Sequence, residues 1–187
     1  MNQIIKNRIQ ESIDVKSRIL GDEALLSKIQ EAGDAVKNAL KNGNKVLLCG
    51  NGGSASDSLH IAGEFVGRFQ KERESLPAFA LNADVASMTA IANDYGYEHV
   101  FERGVEGYGK SGDVLIGIST SGNSKNVNLA LKKAKEKGVF TIGLSGRNGG
   151  EMNDLADVSI VVPCDVTARI QESHIMIGHI ICELAEE

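Results

Sequence analysis

The chain has 187 residues, of which 42% are hydrophobic, so it is long enough for one folded domain with a sizeable core. Its formal net charge of -5, with both signs interspersed, leaves no basic stripe and argues against a nucleic acid partner. No apolar run approaches the roughly 18 residues that a membrane span needs, and the first residues lack a signal-peptide core, so we expect a cytoplasmic protein without a membrane partner.

Residues 2 to about 42 predict two amphipathic helices, separated by a break at Gly21-Asp22. Apolar residues recur there at helical spacing: Ile5, Ile9, Ile13, Leu25, Leu26, Ile29, Ala32, Val36 and Leu40. A helical hairpin that precedes a sheet must bury its apolar stripe. The stripe could be buried against a neighbouring subunit or against the protein's own sheet, and the sequence leaves both open.

From residue 43 to residue 187 the sequence predicts alternating strands and helices. The predicted strands are 45–49, 78–81, 113–118, 139–144 and 158–162, and the predicted helices lie near 54–69, 84–93, 97–108, 124–137 and 167–185. The strands are apolar without strict alternation, which is typical of parallel strands covered on both faces. We therefore predict a doubly wound α/β fold with a mostly parallel five-stranded sheet, in a single domain over residues 1–187.

The loop at residues 119–124 (Ser-Thr-Ser-Gly-Asn-Ser) is the most informative segment of the chain. It follows a predicted strand and precedes a predicted helix, so its hydroxyl and amide donors lie beside the positive end of the helix dipole. Such a loop suits a phosphate monoester. It has no lysine and no Gly-x-x-x-x-Gly-Lys spacing, so a nucleoside triphosphate is a poor fit, and we expect a small phosphorylated metabolite.

A second polar loop, residues 50–54 (Gly-Asn-Gly-Gly-Ser), also follows a predicted strand. Either loop alone could be a structural helix cap. Two such strand ends in one domain favour a ligand site, because open α/β sheets bind ligands beyond the carboxyl ends of their strands. Residues 50–55 also fit a dinucleotide-binding pattern in which Ala55 takes the third glycine position. Because alanine is an allowed variant there, the function of an oxidoreductase is less favoured but stays open.

Two helices carry residues with catalytic chemistry. His60 and Glu64 lie four apart on one helix face, where they can share a metal or a proton, or form an ordinary solvated salt bridge. In the last helix His174 and His179 diverge by about 140°, so at most one of them can face a given site. We expect His179 to be buried among apolar residues and His174 to be more exposed. A structural histidine bonded to a backbone carbonyl remains the alternative.

A carboxylate base with a histidine partner near a bound phosphosugar fits proton abstraction beside a carbonyl group, which is the core of aldose–ketose isomerisation. Such a reaction needs no redox cofactor.

Three motifs together resemble the sugar isomerase (SIS) domain family: residues 49–55, 118–124 and 169–174. The resemblance covers essentially the whole chain and implies a flavodoxin-like sheet in a homotetramer with sites between subunits. It implies conversion of sedoheptulose 7-phosphate to D-glycero-D-manno-heptose 7-phosphate through an enediol, at the start of ADP-heptose synthesis for lipopolysaccharide or capsule. Other members of this family are non-catalytic phosphosugar-binding regulators or associate with the replication initiator, and these are the alternatives.

The resemblance also implies roles for individual residues. It makes Glu64 the base and His179 the partner acid or base. The implied substrate contacts are Asn51, Gly52, Gly53, Ser54, Glu64, Asn93, Asp94, Ser119, Thr120, Ser121, Ser124 and Gln171. The implied ligands of one zinc ion per subunit are His60, Glu64, Gln171 and His179, a donor set that suits zinc. No nucleotide cofactor is implied.

This chain departs from some relatives at Ala168, where they carry an acidic residue. We expect that substrate contact to be missing or to be supplied by Thr167 or Asp165.

Overall fold

The structure is a computed structural model that describes residues 2–187. It contains five strands and eight α-helices in this part of the chain: α1 (Gln3–Leu20), α2 (Glu23–Lys41), β1 (Val46–Gly50), α3 (Gly53–Val66), β2 (Ala78–Ala80), α4 (Val85–Tyr95), α5 (Val100–Tyr108), β3 (Val114–Ile118), α6 (Lys125–Glu136), β4 (Phe140–Gly146), α7 (Met152–Leu155), β5 (Val158–Val162) and α8 (Thr167–Glu186). A 3₁₀ turn at Tyr97–His99 precedes α5. None of the helices in residues 2–187 combines the length and the apolar character needed to cross a membrane.

The five strands form one sheet in the order β2-β1-β3-β4-β5, and every neighbouring pair is parallel. The predicted doubly wound α/β fold is confirmed. Successive strand residues point to opposite faces, so Leu48 and Ile116 join a core with α1, α2, α3 and α8, whereas Leu47 and Leu115 join a second core with α5 and α6. Both faces of the sheet are therefore covered, which explains the nearly continuous apolar runs.

The N-terminal hairpin divides at the predicted break. Asp22 caps α2 by accepting a hydrogen bond from the backbone N–H of Leu25 at 3.0 Å. Helix α2 packs against α8 and the sheet, so its stripe is buried within the chain. The outer half of α1 is not covered by residues 2–187, because Ile5, Ile9 and Ile13 are 57%, 57% and 49% exposed.

The strand order reverses at β1 and β3, which lie side by side with Gly50 opposite Ile118. The chain leaves β1 towards β2 and leaves β3 towards β4, so the loops after β1 and β3 border a crevice. The two loops that the sequence singled out are these two loops.

Candidate active site

The loops after β1 and β3 are tied together by an amide pair. The side-chain amide of Asn51 donates to Asn126 Oδ1 at 2.9 Å, and Asn126 donates back to Asn51 Oδ1 at 3.0 Å. The hydroxyl of Tyr97 also donates to Asn51 Oδ1, at 3.0 Å. Asn126 is buried at the start of α6, so these bonds fix the first loop relative to the second.

The first loop leads directly into α3. Gly52 has φ +56°, a left-handed conformation that favours glycine, and Gly53 begins the helix. A Cβ atom on Gly53 would lie 2.3 Å from Nε2 of Gln171, so the absence of a side chain at Gly53 lets Gln171 from α8 lie over the start of α3. Ser54 is buried behind this point. The structure thus brings Asn51, Gly52, Gly53 and Gln171 to one place.

The second loop presents its hydroxyl groups at the start of α6. Ser119 is buried, and its Oγ lies 2.9 Å from Oγ of Ser124. Thr120 and Ser121 are partly exposed. Ser124 is the N-cap residue of α6, yet its hydroxyl makes no capping hydrogen bond within residues 2–187. The N–H of Val127 donates to Asn126 Oδ1 at 3.0 Å, which leaves the first two N–H groups of α6 available for an anion.

Three side chains from α3 and α8 form a cluster beside these loops. The Nε2 atom of His60 lies 3.0 Å from Oε1 of Glu64 and 3.0 Å from Nε2 of His179. Oxygen and nitrogen atoms of all three residues lie within 4.8 Å of one another. His60 is about half exposed and Glu64 about a quarter exposed, so the cluster is open to a ligand.

A close helix contact explains why the cluster forms. Gly178 of α8 packs against Ile61 of α3, and a Cβ atom on Gly178 would lie 2.5 Å from Cδ1 of Ile61. The missing side chain lets the two helices approach at this level. His60 precedes Ile61 and His179 follows Gly178, so the contact brings the two imidazole rings together.

The segment after α3 covers one side of His179. The ring of Phe69 stacks on His179 with centroids 5.4 Å apart and an interplanar angle of 25°. Glu186 holds this segment by accepting backbone N–H bonds from Phe69 at 3.0 Å, and from residues 70 and 71 at 2.9 Å each, while Arg73 donates to the same carboxylate at 2.8 Å. Burial raises the pKa of Glu186, but these donors outweigh burial and lower the pKa to about 2.

The cluster has the chemistry and spacing of a zinc site. In tetrahedral zinc with bonds of 2.0–2.1 Å, two ligand nitrogens lie about 3.3 Å apart, close to the 3.0 Å between the imidazole nitrogens of His60 and His179. The carboxylate of Glu64 adds a third donor at a matching distance. Gln171 belongs to α8, two turns before His179, and its side chain lies beside Gly53 of α3. The donor set therefore fits zinc.

The other predicted contacts, Asn93 and Asp94, form no hydrogen bond or salt bridge with this cluster among residues 2–187. Both are exposed on α4, and their side chains hydrogen bond to each other at 2.9 Å and to no other residue among 2–187. Helix α4 has no buried residue in this structure.

The expectation for the two C-terminal histidines was wrong. His174 is 1% exposed, and its Nε2 donates to the backbone carbonyl of Ser145 at 2.9 Å. Burial lowers the pKa of His174 to about 4. The reason is helical geometry, because His174 lies on the ridge of Ile170, Ile177 and the sheet-facing side of α8. His179 is only partly buried and faces the cluster.

Sequence reasoning missed three residues near the site: Tyr97, Asn126 and Asp57. Asp57 lies one helical turn before His60, and its Oδ2 is buried without a hydrogen-bond partner among residues 2–187. Burial raises the pKa of Asp57, and the nearby charge of His60 offsets part of that rise. The spacing of three between Asp57 and His60 was the available signal. Tyr97 and Asn126 had no local signal, because their partner Asn51 is distant in sequence.

Comparison with known proteins agrees with the site. A family model described as the SIS domain matches residues 9–146. The phosphoheptose isomerases of Aneurinibacillus thermoaerophilus and Clostridium acetobutylicum are 56% and 53% identical over 187 residues, which are 100% of this chain and 94% and 95% of those proteins. A structure of phosphoheptose isomerase GmhA from Neisseria gonorrhoeae has a TM-score of 0.92 at 41% identity, covering 98% of this chain and 97% of that one. The chain belongs to the SIS domain family and, within it, to the phosphoheptose isomerases.

Proposed function

We propose that this protein is an aldose–ketose isomerase that converts sedoheptulose 7-phosphate to D-glycero-D-manno-heptose 7-phosphate. The observation that supports this most strongly is the cluster of His60, Glu64 and His179 beside two phosphate-type loops. The relatives at 53% and 56% identity carry the name phosphoheptose isomerase. The activity is thus proposed from the chemistry of the site and from the relatives together.

The substrate phosphate binds at the loop of residues 119–124. Hydroxyl groups of Ser119, Thr120, Ser121 and Ser124 and the first N–H groups of α6 donate to its oxygens. The sugar then extends along the crevice past Asn51, Gly52 and Gly53 towards α3 and α8. Asn93 and Asp94 contact the same substrate in the assembled protein.

Glu64 moves the proton in this mechanism. Its carboxylate takes a proton from C1 of the ketose and returns it to C2, so that an enediol lies between the two sugars. His179 is the partner acid or base that handles the proton on the substrate oxygen, and Nε2 of His60 lies 3.0 Å from both Glu64 and His179. Electrons stay within the sugar, so no redox cofactor takes part.

His60, Glu64, Gln171 and His179 would hold a zinc ion. When bound, zinc supplies Lewis-acid stabilisation of negative charge on the substrate oxygens. Metal analysis of the purified protein should give about one zinc per subunit. Chelation should lower the activity, and added zinc should restore it. A protein that is fully active with no bound metal would rule out a catalytic role for zinc.

The exposed stripe on α1 supports an assembly of several copies. Ile5, Ile9 and Ile13 repeat every four residues and remain open in the single chain. A homotetramer with sites between subunits would cover this stripe. Light scattering should show a tetramer for the wild type and smaller species for an Ile9→Asp, Ile13→Asp variant, while a wild-type mass for the variant would exclude this face as the interface.

A non-catalytic phosphosugar-binding regulator is the alternative that the sequence left open. The Vibrio vulnificus NanR protein complexed with ManNAc-6P shares the fold with a TM-score of 0.67. At 17% identity that likeness concerns the fold alone. A regulator needs the phosphate loop but not the cluster of His60, Glu64 and His179. The lipopolysaccharide or capsule pathway and the cytoplasmic location stay predictions from the sequence.

Incubation with sedoheptulose 7-phosphate, followed by product identification by NMR, separates these functions. The isomerase forms the aldose phosphate and reaches the same equilibrium from either sugar. Unphosphorylated sedoheptulose, as the control, should react far more slowly, because the phosphate loop has nothing to bind. Saturable binding of sedoheptulose 7-phosphate without product would instead identify a regulator.

A further inference from the structure

The turn after β4, residues 147–151, is fixed against the phosphate loop. A Cβ atom on Gly122 would lie 1.8 Å from the carbonyl oxygen of Gly149, so the two backbones touch. The backbone N–H of Glu151 donates to Asn123 Oδ1 at 3.1 Å, and the N–H of Met152 donates to the carbonyl of Gly122 at 3.0 Å. The backbone of this turn therefore has a defined position relative to the loop.

Arg147 is the cationic residue of this turn. It lines an open cavity of about 510 Å³ together with Ser121, Asn123, Asn148 and Asp165. The backbone N–H of Arg147 donates to the carbonyl of Cys164 at 2.9 Å, which anchors the turn. The guanidinium group is exposed and makes no salt bridge and no hydrogen bond with residues 2–187.

The backbone at Arg147 does not favour arginine. Its φ is +59°, and it is the only non-glycine residue among 2–187 with a positive φ. Glycine or asparagine is the usual residue in this left-handed region, because a larger side chain is strained there. Neither local conformation nor packing explains the long cationic side chain, and strained residues of this kind cluster at ligand sites.

The phosphate loop itself has hydroxyl and N–H donors but no cation. The next cation along the chain, Lys125, forms a salt bridge with Glu98 at 3.2 Å. A phosphate dianion bound at the loop thus lacks a cationic partner from the loop, whereas a guanidinium group binds phosphate through two parallel, charge-assisted hydrogen bonds. Arg147 shares a cavity with Ser121 and has no other partner among the described residues.

We propose that Arg147 binds the substrate phosphate held by the loop of residues 119–124, and that it selects phosphorylated over neutral sugars. This inference rests on the proposed function of that loop. Arginine and the loop then hold the phosphate from two sides, with β4 and β3 as the rigid supports. Because the contact is the same before and during the reaction, it lowers KM and leaves kcat unchanged.

The test compares Arg147→Gln, Arg147→Lys and a control, Lys132→Gln, which removes the same charge from an exposed part of α6. Two quantities are measured: the affinity for inorganic phosphate by calorimetry, and kcat and KM for sedoheptulose 7-phosphate. Arg147→Gln should weaken phosphate binding and raise KM by about 10- to 100-fold, with kcat within about twofold. Arg147→Lys should keep much of the affinity, and Lys132→Gln should match the wild type.

A phosphate affinity and a KM for Arg147→Gln within twofold of the wild type would overturn the inference. So would an equal loss for Gln and Lys with a fall in kcat, which would indicate a structural role. Arg147→Gly adds a separate readout, because it should raise Tm by about 2–4 °C by relieving the positive φ while it loses phosphate affinity as Gln does. If the wild type does not isomerise the sugar, the proposed function fails, and the calorimetry still decides the role of Arg147.

Discussion

Replacing Gly178 with alanine tests why the catalytic cluster forms. The added Cβ would lie 2.5 Å from Cδ1 and 2.9 Å from Cγ1 of Ile61. Carbon atoms in contact are normally about 3.5–4.0 Å apart, so the overlap is about 1 Å. Ile61 is 2% exposed and lies in a close-packed core, so either Ile61 leaves its rotamer or α8 moves away from α3.

The expected stability change is the difference between two effects. Overpacking a core typically costs about 1–3 kcal/mol, whereas glycine to alanine within a helix contributes about 1 kcal/mol of stability. The net destabilisation is therefore about 0–2 kcal/mol, which lowers Tm by at most about 8 °C in a domain of this size. Activity should fall further, by about 100-fold in kcat/KM, because a shift of about 1 Å separates His60 from His179.

Thermal unfolding and steady-state kinetics measure both effects on the same samples. The matched control is Gly107→Ala in α5, where an added Cβ meets no atom within 4 Å. That variant should be as stable as the wild type or slightly more so, with unchanged kinetics. Equal stability and equal activity of Gly178→Ala and Gly107→Ala would refute the idea that the close approach of α3 and α8 sets the site geometry.

Three further variants test other parts of the structure. His174 has a pKa lowered by burial from 6.5 to about 4, so the unfolded chain binds more protons between these values. Stability should be full above pH 6.5 and fall by about 3 kcal/mol by pH 4, and urea unfolding of His174→Gln should show a flatter profile. Burial raises the pKa of Glu186, but hydrogen bonds outweigh it and lower the pKa from 4.5 to about 2, so its contribution is present above pH 4.5 and is lost as the pH falls towards 2. Glu186→Gln should lose on the order of 2 kcal/mol at pH 7, and a difference from the wild type that persists unchanged at pH 2 would contradict this. Ser119→Ala removes a buried hydroxyl paired with Ser124 at 2.9 Å and should raise KM by about tenfold, whereas an unchanged KM would exclude Ser119 from the phosphate site.

The elements of the sheet could be predicted because the strands are short apolar runs bounded by polar loops, and all five agree with the structure to within about two residues. The helix predicted near 54–69 ends earlier, at Val66, and Glu186 accepts a hydrogen bond from the backbone N–H of Phe69 in the segment that follows. Helix α7 was missed because its four residues are too few to show periodicity. Local sequence pattern therefore predicted the long elements and most of their ends, but it missed the shortest helix.

The candidate site, too, could be predicted only in part. The two loops were visible because their composition is unusual for a strand end, and His60 and Glu64 because a spacing of four places them on one helix face. The exposure of His174 was misjudged, because adjacent residues in sequence say little about which face of α8 meets the sheet. The contacts of Asn51 with Asn126, and the positive φ of Arg147, depend on tertiary structure and had no signal in the chain.

The isomerisation rate of Glu64→Gln with sedoheptulose 7-phosphate decides whether Glu64 is the base. Glutamine has nearly the size of glutamate and keeps an oxygen atom that can bind a metal, but it cannot accept the proton. Provided that thermal unfolding shows an intact fold, kcat should fall by about 10²- to 10⁴-fold, the usual contribution of a general base. His179→Gln should show a loss of similar size. A folded Glu64→Gln variant with a kcat within about threefold of the wild type would exclude Glu64 as the base.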